Sequence, residues 1–170
     1  AYNYTLNAND YMVEFSIESQ GLSTVFDSRQ PPEFQWNLRA LRQDQSVSFE
    51  NRYTRLNYLH EGDKLNKLSQ GGDDLEVIED ISWISYRQHF FSSILVPDSP
   101  LKTAEVSSYD LVEDEAIDTV FTKLYKTKFP LALNSGELNE QMNFYFGPTY
   151  AETLKKYNLD LERSIPFGWG

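Results

Sequence analysis

The sequence predicts a mainly β fold that closes on one short C-terminal helix. Three observations carry this reading. Tyr and Phe number 11 each, beside 3 Trp, and aromatic side chains suit half-buried pleated surfaces. Apolar residues recur at every second position along several stretches, the mark of strands with one wet face. That alternation gives way to a helical period only near residue 149.

The elements follow in chain order. In residues 11–21, Tyr11, Val13, Phe15 and Ile17 point one way, while Met12, Glu14, Ser16 and Glu18 point the other. This is a strand. Pro31 and Pro32 break the chain, since proline supplies no ladder N–H. Phe34, Trp36 and Leu38 alternate with Gln35, Asn37 and Arg39 in a second strand. Residues 47–68 have mixed phase; 52–59 read as a strand, 60–63 as a turn on Gly62, and 69–74 as a loop. Residues 80–100 are the strongest apolar segment. Ile81, Trp83 and Phe91 share one parity, Ile84, Tyr86 and Phe90 the other. The stretch reads as one central strand covered on both faces, with Pro97 and Pro100 at its exit. Strands are expected at 101–110 and 120–129, with an acidic connection between them, and at 141–146, stopped by Gly147 and Pro148. Then Thr149 as N-cap and Glu152 three residues later form a capping box. Tyr150, Leu154 and Tyr157 share about one face, and Asn158 stops the helix.

Charge and composition narrow the function. Acidic residues outnumber basic ones, 26 to 15, for a net charge of −11. Such a body repels phosphate backbones, so nucleic acid is a poor partner. No apolar run approaches the ~20 residues of a membrane span; the longest, 90–96, contains Ser92 and Ser93. No signal peptide is present, so any export or anchoring segment of the natural protein lies outside these residues. There is no cysteine, hence no disulfide and no thiolate metal site.

The catalytic signatures are missing. His60, in the expected turn, and His89, in the expected central strand, have no second ligand at metal spacing. The acidic stretches lack the calcium-loop pattern. Gln70–Gly72 is not followed by a phosphate-loop helix, and no Gly-x-Ser-x-Gly elbow occurs. The aromatic excess suits either a sugar-stacking platform or an ordinary β core, and the core is the more common use.

Specific stretches say more. Trp83 opens a run through Gln88, His89, Phe90 and Phe91 to Pro97. An apolar strand from Phe144 ends at Gly147 and Pro148. A helix follows, then an acidic-apolar segment running into Phe167, Gly168 and Trp169. In these motifs and their spacing the chain resembles the periplasmic domain of YidC, the bacterial inner-membrane protein insertase. The Arg-Tyr-Thr-Arg run at 52–55 is similar to the Bacteroidetes branch. The resemblance covers residues 34–170; the first 30 residues fit less distinctly.

The resemblance implies a fold, a twisted β-sandwich of the supersandwich kind found in sugar mutarotases. Strands at its N-terminal side are expected to be missing. It implies one periplasmic domain over 1–170, with a helix at 149–158 and a junction toward the membrane at 159–170. Tyr150, Leu154, Tyr157, Leu159 and Leu161 would pack the helix or contact a partner. Phe167, Gly168 and Trp169 would be membrane-proximal, where Trp prefers to sit. It implies no enzymatic activity and no cofactor. Its partners would be the Sec translocon with its accessory proteins and nascent membrane proteins, at the periplasmic face of a Gram-negative inner membrane, with transmembrane anchors outside these residues. Two other readings stay open: a free carbohydrate-binding or mutarotase-like sandwich, and an extracytoplasmic interaction domain with no insertase attached. Fold alone does not separate them.

Overall fold

The computed structural model describes residues 1–25 and 29–166. The strands are β1 (Tyr2–Leu6), β2 (Met12–Glu18), β3 (Glu33–Leu41), β4 (Arg55–His60), β5 (Lys64–Lys67) and β6 (Asp74–Arg87). They continue with β7 (Phe91–Pro97), β8 (Leu101–Asp110), β9 (Phe121–Pro130), β10 (Leu133–Asn134) and β11 (Glu137–Pro148). Two short helices, α1 (Val47–Tyr53) and α2 (Ala151–Lys155), accompany them. All strand pairings are antiparallel, and the main path runs β1-β2-β11-β7-β6-β8-β9-β3.

The long strand β6 joins the two halves of the sheet. Its last residues pair with β7, from Ile84↔Leu95 to Arg87↔Ser92. Its first half pairs with β8, from Asp74↔Ser108 to Ile81↔Leu101. β4 also pairs with β6, with a bulge between Leu59 and His60. A bulge adds local twist, and the sheet curls into a half-barrel. The curl brings Phe34 of β3 to 6.0 Å from Phe15 of β2, and Trp36 to 5.4 Å from Phe144 of β11, between ring centroids. The inner face therefore packs on itself, as a mainly β sandwich should.

Inside the curl lie Phe15, Tyr58, Ile84, Tyr86, Tyr125 and Phe144. Trp36 stacks on Tyr86 at 3.8 Å. The Tyr86 hydroxyl lies 2.6 Å from that of Thr127 and 3.0 Å from the Trp36 carbonyl, so this buried polar atom has partners. A second core lies on the outer face. There Met12, Trp83, Ile94 and Tyr145 pack beneath Leu154 and Leu161. Successive residues of β6 thus serve different cores, Trp83 outward and Ile84 inward; Ile81 lies inward with Ile84 although it shares the parity of Trp83, because the register with β4 shifts between them.

Several sequence expectations need correction. Residues 80–100 are two strands in a hairpin, turning at 88–90, where the Gln88 N–H donates to the Phe91 carbonyl at 2.9 Å. The turn Gln-His-Phe contains no Gly, Pro or Asn to announce it. The histidines exchange places: His89 is in this turn, and β4 runs one residue into the expected turn, so that His60 is its buried last residue. Part of the 52–59 strand is helix. Ser46 caps α1, its hydroxyl accepting from the Phe49 N–H at 3.2 Å. β1 is an additional edge strand whose five residues are all exposed. The C-terminal helix occupies only Ala151–Lys155, with Tyr150 as N-cap. Thr149 does not cap it because its hydroxyl donates to the Gln88 carbonyl at 3.0 Å.

Candidate functional site: the docked C-terminal segment

After β11 the chain turns back over the outer face of the sheet. Residues 151–166 cross β6 and β7 there as α2, a left-handed turn and a 3-10 turn (Leu161–Ser164). Asn158 and Asp160 both have positive φ, 55° and 58°. Asn and Asp accept that conformation more readily than other non-glycine residues, and it lets the chain reverse within a few residues.

Leu154 and Leu161 are completely buried, and Tyr157 and Ile165 are partly buried beside them. Three groups of β4 and β6 then grip the segment by its backbone. The Trp83 indole N–H donates to the Leu159 carbonyl at 3.1 Å. The Ser164 carbonyl accepts from Arg87 Nη1 at 2.5 Å and from Asn57 Nδ2 at 3.3 Å. Arg87 Nε also donates to the Tyr53 carbonyl, at the end of α1, at 3.0 Å. Burial lowers the pKa of the Arg87 guanidinium to about 10, so it stays charged at neutral pH. A cation fits here because these carbonyls are the unpaired ends of short helical turns. Farther out, Arg163 pairs with Asp63.

Tyr157 ties the segment to the start of β2. Its hydroxyl donates to Asp10 Oδ1 at 2.6 Å and accepts from the Tyr11 N–H at 3.2 Å. Burial first, then the Asp10 carboxylate, pushes the Tyr157 hydroxyl up to about 12. The Tyr157 hydroxyl first, then the Met12 N–H, holds Asp10 below its ordinary value of 3.8. A depressed carboxyl stabilises the fold above its unfolded pKa, and that stability is lost as pH falls through the folded value. The wild-type chain should therefore lose stability below about pH 4 more steeply than Asp10→Asn. Thermal melts across the acid range check this.

The residues marked in the sequence fall into three places. Trp83, Leu154, Tyr157 and Leu161 meet in the outer core, while the side chains of Tyr150 and Leu159 are exposed. Gln88, His89, Phe90 and Phe91 form the β6–β7 turn and its exit, and Pro97 ends β7. Phe167, Gly168 and Trp169 lie outside the described residues. Asn57 and Arg87 escaped the sequence reading because their acceptors are backbone carbonyls, which no residue letter shows. Among the described residues, no three His, Asp or Glu gather as a metal site, and no helix is long and apolar enough to cross a membrane.

A curled antiparallel sheet with its last described segment docked on the outer face defines a mainly β sandwich domain. The family model of the YidC periplasmic domain matches residues 2–170, and the chain belongs to that family. The match includes the N-terminal residues that the sequence motifs had covered less distinctly. The chain is 31% identical to the membrane protein insertase YidC of Azobacteroides pseudotrichonymphae over 98% of its length. It is 30% identical to that of Parabacteroides distasonis over 99%, and 25% identical to that of Coxiella burnetii over 98%. It spans 28% of the length of the first two relatives and 30% of the third.

Proposed function

We propose that the chain is the non-catalytic periplasmic domain of a membrane protein insertase, a scaffold and docking surface that assists insertion and folding of inner-membrane proteins. The observation that carries this reading is the clamp. Trp83, Asn57 and Arg87 hold residues 159–164 by their carbonyls, and a segment so held passes the orientation of the sheet to whatever follows it. On this reading Phe167, Gly168 and Trp169 are the junction toward the membrane, and transmembrane segments beyond this chain anchor it. Nascent membrane proteins are its clients, and the Sec translocon with its accessory proteins is its neighbour. Leu159, exposed on the clamped segment, is the contact offered to such a neighbour.

A sugar-binding role finds less support. Phe15, Phe34, Trp36, Phe129 and Phe144 of the inner face are spent on one another. The cleft of about 600 Å³ between residues 97–103 and 129–132 has Asp98 and Glu140 at its wall and only buried Phe129 as an aromatic. A photo-crosslinking side chain at Leu159 in the full-length protein, in its own membrane, tests the docking reading. An adduct with a Sec accessory protein is expected. No adduct from Leu159 or from its exposed neighbour Lys155, together with heat on titrating a sugar panel, would replace the reading with the carbohydrate one.

A further inference from the structure

One end of the molecule carries exposed aromatic rings, one of which, Phe146, stacks at 5.7 Å on Phe144 at the rim of the inner core. At the β6–β7 turn, His89 stacks between Tyr53 of α1, at 3.9 Å, and Phe90, at 4.2 Å. Phe49 closes the group, 5.0 Å from Tyr53. Phe91 pairs with Pro148 and Ser93 with Phe146, so Phe91 and Phe146 are diagonal neighbours on one face of the sheet. Phe90 is 56% exposed, Phe91 58%, Phe146 48% and Tyr150 59%. Single exposed apolar residues are ordinary, but several exposed rings gathered around one turn and the strand ends beside it mark a contact surface.

Three features say what that surface meets. First, it lies where the chain leaves the sheet. Arg87, next to the turn, holds both the end of α1 and the Ser164 carbonyl. Second, it is nearly uncharged on a strongly acidic molecule. Segments 46–53, 88–93 and 146–150 contain only Glu50 and Arg52 as charged groups. Glu50 is buried and accepts from the Gln43 N–H at 3.0 Å and the Asp44 N–H at 3.2 Å. The repulsion that keeps an acidic body off an anionic leaflet is therefore low at these segments. Third, the rings are held in place. The Thr149 N–H donates to the Phe90 carbonyl at 2.8 Å, and the Thr149 hydroxyl lies 2.8 Å from that of Ser92. A fixed turn loses little entropy on contact.

We infer that this end is a lipid-contacting surface: Phe90, Phe91, Phe146 and Tyr150 sit in the interfacial layer of the bilayer and fix the tilt of the domain over the membrane. Aromatic rings favour that layer. This deepens the insertase reading and rests on it, because that reading places the membrane next to the exit of the chain.

The test uses the absence of cysteine. Phe90→Cys, labelled with an environment-sensitive dye, is tethered through a histidine tag after Gly170. The vesicles contain phosphatidylethanolamine and phosphatidylglycerol in equal parts, with a little nickel-chelating lipid. Ser99→Cys, in the turn between β7 and β8, is the control, and Phe146→Cys repeats the test without disturbing the His89 stack. The dye at 90 and at 146 is expected to shift to the blue and to be quenched by brominated lipid, and the dye at 99 is not. Equal, water-like emission at all three positions would overturn the inference. A shift that needs no vesicles and grows with protein concentration would overturn it too, by showing that a second copy covers the rings. Either result leaves the crosslinking test of the insertase reading untouched.

Discussion

Leu154→Asp is expected to remove about 4 kcal/mol of stability, measured by urea unfolding. Leu154 is completely buried among Met12, Trp83, Ile94, Tyr145 and Leu161, so the substitution deletes a well-packed side chain and puts an unpaired carboxylate in its place. The loss has a ceiling. If residues 151–166 undock rather than keep the charge buried, the cost cannot exceed the free energy of docking that segment. Leu154→Ala separates the contributions, with an expected loss of about 3 kcal/mol from packing alone. Unchanged stability in both variants would mean that the segment does not lie on the sheet.

Trp83→Ala is expected to cost about 4 kcal/mol and to free the end of the segment. Trp83 is 1% exposed, lies at the centre of the outer core and bonds the Leu159 carbonyl. Trp83→Phe keeps much of the ring area and loses the donor, so about 1 kcal/mol is expected from the hydrogen bond. Denaturation midpoints of the two variants divide Trp83 into its packing and its grip. Equal losses would mean that the hydrogen bond dominates and that the packing argument is wrong.

The strands with one wet face were legible. β3 follows its alternation, β2 follows it except at Met12, which the outer core covers, and β8 occupies residues 101–110 as expected. Such strands show their period because each face meets a different solvent. Residues 81–87 of β6 were legible as a strand covered on both sides, but neither its start at Asp74, within the expected loop, nor its end was, because the Gln88-His89-Phe90 turn is closed by backbone bonds without a special residue. α1 hid for a related reason: seven residues are too few to establish a period. The docked segment was half legible. The helical period gave Leu154 and Tyr157 and the resemblance gave Leu161, whereas the grip of Trp83, Asn57 and Arg87 on carbonyls left no trace in residue types. The family motifs supplied what periodicity could not, and the aromatic run at 89–91, read first as strand, is a surface feature.

The central claim is that residues 151–165 form one rigid body with the sheet, so that the end of the domain has a fixed direction. Native-state hydrogen exchange tests it most directly. The Leu154, Arg163 and Ile165 amides, bonded to the Tyr150, Asp160 and Glu162 carbonyls, should exchange nearly as slowly as those of β6 and β7. Their protection should fall in Arg87→Ala combined with Asn57→Ala while the sheet stays protected. Free exchange of these amides in the wild-type chain would contradict the claim, leaving a β-sandwich whose C-terminal segment transmits no orientation.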